Sequence, residues 1–219
     1  MNGFPRIEPL GDSALLLVLG EGTNPALAVR TAALAAHLRA ASLPGVSDIV
    51  PAYGSLAVFF DRLTAEADRL AERLVQTAGG FEARGAPLAH GRPIHVIPVR
   101  YDGPDLAEVG ERTGLVPLEV VRRHTEPVYD VYFLGFVPGF AYLGPVDPAL
   151  VLPRRPTPRR RVPAGSVAIA GAQTGVYPLE TPGGWHLIGH TDVVLFDPQR
   201  NPPNLLAAGD RVRFSPTDG

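Results

Sequence analysis

The sequence predicts an α+β N-terminal domain over residues 1–85, followed over residues 92–219 by a mainly-β barrel or sandwich that carries a helical pair at 105–124. Two amphipathic helical patterns alternate with short apolar runs in the first part, and a small sheet covered by helices on one face buries both kinds of surface. Residues 81–93 (FEARGAPLAHGRP) keep no periodicity and contain Gly and Pro, which places a boundary there. Beyond it the apolar runs shorten and turn residues multiply, a pattern that argues for a barrel or sandwich rather than a parallel sheet.

The elements follow in order. Residues 14–19 (ALLLVL) come after the turn Gly11-Asp12 and read as a buried strand. Thr23, Asn24 and Pro25 offer a helix cap with proline in the first turn. The helix that follows places Leu27, Leu34 and Leu38 along one face, with Thr31 and Ala35. Residues 56–60 form another strand. Thr64 then starts a second helix with Leu70 and Leu74 inward, closed by Gly79-Gly80. Ile94–Val99 is a strand, and residues 105–124 are two short helices broken at Gly114-Leu115. Strands are expected at 129–134, 166–170, 185–190, 192–196 and 211–214.

Composition closes several chemistries. The chain has 219 residues and a formal charge of −2 at pH 7, so neither disorder nor a polyanion partner is indicated. Cysteine is absent, which removes disulfides, thiolate nucleophiles and cysteine-ligated metals. Lysine is absent too, since all 20 basic residues are arginine, so no Walker A lysine and no lysine Schiff base can form. No signal peptide and no membrane-spanning run is visible, and a cytoplasmic location is expected.

Residues 129–185 hold the density of aromatics, glycines and prolines expected of a rigid surface around a pocket. The 105–124 pair has the look of a DNA-binding helix-turn-helix, but Asp105, Glu108, Glu111 and Glu119 offset its arginines, and no nucleic-acid partner is expected. Arg154, Arg155, Arg159, Arg160 and Arg161 fan out of a proline-rich loop; this is either an anion site or a solvated basic loop, with Arg159 the favoured contact. The turn from Pro163 to Ser166 is a candidate for backbone N–H groups aimed at a ligand. Gln173, Thr174 and Tyr177 supply a carboxamide, a hydroxyl and a phenol that can orient an amide or carboxylate. Trp185 is core filler or a pocket wall. His124 ends a helix where its ring can face the pocket and move a proton, or simply favour the helix dipole. His186 and His190 lie on one face of a predicted strand about 13 Å apart, too far to share an ion, and no metal is expected. No complete catalytic apparatus assembles from these residues, so the pocket reads as ligand-binding and its chemistry as dependent on another chain.

HT at 124–125, YDVYFLGFVPGFAYLG at 129–144, PRR..PR..VPAGSVAIAGAQTGVYP at 153–178 and TPGGWHLIGHT at 181–191 resemble the family of the 5-oxoprolinase B subunit, also called the sporulation kinase inhibitor or allophanate hydrolase subunit 1 family. RIEPLGDSALLL at the start and LFDP…P..LLAAGDRVRF near the end extend the likeness over almost the whole chain. Two departures are small: Ala141 stands where proline is frequent and Thr181 where serine is usual. The resemblance implies a cyclophilin-like β-barrel after the N-terminal domain, and a component acting with the 5-oxoprolinase subunits A and C. That assembly cleaves 5-oxoproline to glutamate at the expense of ATP, and which of its chains binds ATP is left open. It implies a ligand pocket at His124, Phe140, Arg159, Ser166, Gln173, Tyr177 and Trp185. Its other implied activity is inhibition of a sensor histidine kinase through an apolar patch near residues 133–142. A prolyl isomerase is suggested only by the barrel's likeness to cyclophilin, and fold does not carry function.

Overall fold

The structure is a computed structural model that describes residues 3–22, 24–81 and 94–217. Thr23 of the expected cap and residues 82–93 of the expected boundary lie outside the described residues. The chain divides into two compact units, Met1–His90 and Gly91–Gly219.

In the first unit, β1 (Arg6–Pro9), β2 (Ala14–Val18), β3 (Val46–Pro51) and β4 (Ser55–Phe60) form an antiparallel sheet in the order β1-β2-β4-β3. Alternation on β4 sends Leu56, Val58 and Phe60 to one face, where Leu34 and Leu38 of α1 (Pro25–Ala40) and Leu70 and Leu74 of α2 (Ala67–Gly80) cover them. Asn24 caps α1, its side chain accepting from the Ala26 amide at 2.9 Å. Thr31 is fully buried in that helix because its hydroxyl donates to the Leu27 carbonyl at 2.8 Å. The second helix starts at Ala67 rather than Thr64. Asp61 takes the preceding residues into a turn, its carboxylate accepting from the Leu63 amide and its carbonyl from the Ala65 amide.

The second unit is mainly β. Its strands are β5 (Ile94–Val99), β6 (Tyr129–Leu134), β7 (Ala141–Gly144), β8 (Arg159–Val162), β9 (Ser166–Ala170), β10 (Gln173–Val176), β11 (Thr181–Gly183), β12 (His186–His190) and β13 (Arg211–Pro216). Seven of them run in the order β12-β9-β10-β7-β6-β13-β5, and β8 pairs with β11 as a separate ribbon. The two edges meet where Arg100 and His190 exchange both backbone hydrogen bonds at 2.8 Å, so the sheet is a nearly closed barrel. Val131, Leu143, Ile169, Ile188, Val212 and Phe214 fill it.

Two helices pack against that core through Val109 and Val120: α3 (Leu106–Thr113) and α4 (Pro117–Thr125). Gly114 ends α3 at φ 72°, a left-handed angle that glycine takes freely, and Pro117 opens α4. The arginines of α4 are engaged locally: Arg122 pairs with Glu119 and Glu126, and Arg123 with Glu119 and Asp147.

The strand expected at 192–196 does not form, and only an isolated bridge joins Phe196 to Asn204. Arg100 already occupies the neighbouring edge at His190, so the segment finds no free ladder there and folds as a loop, with Leu195 packed into the core.

Candidate functional site

Residues on β9 are buried on both faces of the barrel wall. Val167 and Ile169 point into the barrel, and alternation sends Ala168 and Ala170 outward, where Phe140, Val162, Tyr177, Trp185 and Leu187 cover them. This second apolar cluster floors a cleft of about 230 Å³. Phe140, Tyr142, Tyr177 and Trp185 form its walls, set edge to face with ring centroids 4.9–5.9 Å apart. Gly183 and Gly184 allow the approach, since a Cβ on Gly183 would collide with the Tyr177 hydroxyl.

Phe136 stands at the rim, 60% exposed and held at φ 71°, an angle that a bulky residue rarely adopts. The tight turn around it fixes that angle: the Gly135 amide donates to the Phe140 carbonyl at 3.1 Å, and the Val137 amide to the Gly135 carbonyl at 2.9 Å. Strain of this kind concentrates at functional sites. Burial raises the pKa of Tyr142 and Tyr177 above the usual phenol range, so neither is a base at neutral pH. Two roomier hollows on the first unit, about 430 and 370 Å³, have no aromatic wall.

The structure gathers three of the expected pocket residues, Phe140, Tyr177 and Trp185, and places the others elsewhere. His124 is fully buried inside the barrel, stacked on Phe214 with ring centroids 4.7 Å apart. Its Nε2 lies 2.7 Å from the Thr174 hydroxyl, and its Nδ1 lies 2.7 Å from the Tyr101 hydroxyl. The Thr174 hydroxyl donates its proton to the Ala168 carbonyl at 3.0 Å, so Nε2–H must donate to Thr174 and Nδ1 must accept from Tyr101. The imidazole is therefore neutral, and burial pushes its pKa down to about 3. Thr174 is likewise buried in this relay rather than open to a ligand.

Arg159 does not fan outward. It grips Asp105 through two bonds of 2.8 and 2.6 Å. The sequence read Asp105 only as a charge offsetting the arginines of the helical pair, not as the partner of Arg159. Only 3% of the Asp105 side chain is exposed, and it also accepts from Arg155 at 3.0 Å and from the Leu187 amide at 2.7 Å. Its partners lie 50 to 82 positions away, beyond any local pattern.

The Ser166 hydroxyl donates to the Pro163 carbonyl at 2.8 Å. The turn's Gly165 and Ser166 amides donate to the carbonyls of Tyr177 and Pro163, so they are not free for a ligand as the sequence suggested. Gln173 starts β10, and its side-chain nitrogen is buried without a hydrogen-bond partner among the described residues. Among the described residues the cleft's one charged side chain is Arg154, which the sequence did not single out from its neighbours.

Residues 5–206 match the family model for the carboxyltransferase domain, subdomain C and D. A relative from Bacillus subtilis (strain 168), named as the B subunit of 5-oxoprolinase, is 43% identical over 227 residues, covering 95% of this chain and 91% of that protein. The crystal structure of TTHA0988 superposes with a TM-score of 0.79 at 48% identity, over 94% of this chain; this chain spans 40% of its length. The Kluyveromyces lactis urea amidolyase shares the fold alone, with a TM-score of 0.72 at 19% identity over 96% of this chain and 15% of that one. Matched to that model from residue 5 to residue 206, this chain belongs to the family of the carboxyltransferase domain, subdomain C and D.

Proposed function

We propose that this chain is the B subunit of an ATP-dependent 5-oxoprolinase, converting 5-oxoproline to glutamate with ATP hydrolysis together with subunits A and C in the cytoplasm. The observation that carries the reading is 43% identity with a protein of that name along nearly the full length of both chains. The first unit is read as the α+β domain and the barrel as cyclophilin-like. A lactam carbonyl at neutral pH must be activated, and the activated species must be kept from water. The aromatic cleft suits the second task and not the first. Its titratable side chains are two phenols held above their usual range and one arginine, which together offer neither a nucleophile nor a base. The chain alone is therefore inactive, and its partners supply the activating chemistry.

Among the described residues, the Pro163–Ser166 turn and the paired arginines beside it do not form a site for ATP phosphates. Two amides of the Pro163–Ser166 turn are already used, and Arg155, Arg159 and Arg161 are paired with Asp105, Glu108 and Glu180. We assign the nucleotide to the assembly and not to this chain.

A second reading, inhibition of a sensor histidine kinase, is favoured by the exposed Phe136 ring. Undiminished autophosphorylation of a purified kinase in the presence of excess chain would remove it. For the first reading, 5-oxoproline-dependent release of glutamate and ADP is measured with this chain, with A and C, and with all three. Activity only in the full mixture is expected; equal turnover by A and C alone would overturn the reading.

A further inference from the structure

We propose that Arg154 is the carboxylate anchor of the aromatic cleft, making this cleft the binding site for a small, flat carboxylate, which on the reading above is 5-oxoproline. The charges of the proline-rich loop are unequally engaged. Arg155 and Arg159 are neutralised by Asp105 and Glu108, and Arg161 by Glu180 through bonds of 3.0 and 2.9 Å. Arg154 is exposed, lines the cleft and makes no ion pair among the described residues. Tyr142 and Tyr177 line the same cleft, and the Arg154 charge lowers their phenol pKa values against the larger rise that burial causes.

Among the described residues, no acidic side chain lines the cleft to oppose it. A cavity with one uncompensated guanidinium and otherwise aromatic, proline and glycine walls selects a ligand with one anionic end and a flat, weakly polar body. The guanidinium offers two parallel donors to a carboxylate, and the aromatic lining offers an apolar surface to a flat five-membered ring. Phe136 adds an exposed ring to the cleft lining. The wall carrying Arg154 is itself fixed, because the Arg155 amide next to it donates to the Gly184 carbonyl at 2.8 Å.

The test uses the single tryptophan as reporter, titrating the chain with 5-oxoproline and with 2-pyrrolidone, the same lactam without its carboxylate. Saturable quenching of Trp185 by 5-oxoproline is expected, with 2-pyrrolidone binding roughly tenfold more weakly or worse. Arg154→Ala should weaken 5-oxoproline binding roughly 10- to 100-fold, with partial recovery in Arg154→Lys. It should leave the weak 2-pyrrolidone response unchanged. Arg160→Ala removes an exposed charge outside the cleft and controls for loop charge.

Equal binding by the parent and Arg154→Ala, or no binding of 5-oxoproline to the parent, overturns the anchor. Turnover by the three-component mixture is scored separately. A failed anchor with turnover intact leaves the 5-oxoprolinase reading standing, and binding without turnover has the opposite meaning.

Discussion

Replacing Asp105 by alanine is expected to lower the unfolding free energy by about 3–5 kcal/mol, the cost of removing one partner from a buried charge cluster. The carboxylate accepts four hydrogen bonds: two from Arg159, one from Arg155 and one from the Leu187 amide. It therefore ties the start of α3 to β8 and β12. Alanine leaves Arg159 with 26% of its side chain exposed and no counter-charge, and strands the Leu187 amide inside the wall. Asp105→Asn keeps the shape but loses the charge, so it should fall between the parent and Asp105→Ala. Because β12 follows directly from Trp185, the same change should red-shift the tryptophan emission as the cleft wall loosens. Denaturant unfolding followed by circular dichroism and fluorescence reads both effects. A loss below about 1 kcal/mol in Asp105→Ala would show that the cluster is a solvated surface arrangement.

The second large effect concerns His124. Its ring is neutral in the folded barrel, with a pKa pushed down from 6.5 to about 3 by burial. The unfolded chain protonates near 6.5, so the histidine costs no stability above that pH. As pH falls from 6.5 toward 3, the unfolded state gains a proton that the folded state refuses, and stability drops by about 1.4 kcal/mol per unit. At about pH 5 the loss is about 2 kcal/mol. His124→Gln cannot titrate, so its stability between pH 7 and pH 5 should fall less than the parent's by roughly that amount. His124→Ala removes the stack on Phe214, takes the acceptor from the Tyr101 hydroxyl and one of two partners from Thr174, for about 3–5 kcal/mol at neutral pH. Parallel pH profiles for the parent and His124→Gln would contradict the buried neutral assignment.

The long elements were legible in the sequence because their apolar spacing is unambiguous: Leu34 and Leu38 on α1, Leu70 and Leu74 on α2, and Val212 and Phe214 on β13. Strands of three or four residues were not. β11 contains Pro182 and Gly183, which read as a turn, and becomes a strand only because β8 lies beside it. The loss of an expected strand at 192–196 has the same origin, since pairing depends on which edge is free and Arg100 had taken it.

At the site, the aromatic crowding of residues 129–185 was legible as such, and Phe140, Tyr177 and Trp185 come together beside one cleft. Charge was harder to read. Five arginines within eight residues look alike in sequence, and distant Asp105, Glu108 and Glu180 decide which are neutralised. His124 and Thr174 look like pocket groups locally, whereas each satisfies the other inside the core.

If the outer aromatic cleft of the barrel binds the substrate of the assembly, its wall must sense 5-oxoproline during turnover. Trp185 is the chain's only tryptophan, so biosynthetic 5-fluorotryptophan gives this chain a single fluorine resonance inside that wall. The labelled chain is joined with unlabelled subunits A and C and titrated with 5-oxoproline. A saturable shift of that resonance is predicted over the concentration range that saturates turnover. An unmoved resonance while the same sample converts 5-oxoproline to glutamate would contradict substrate binding in the cleft.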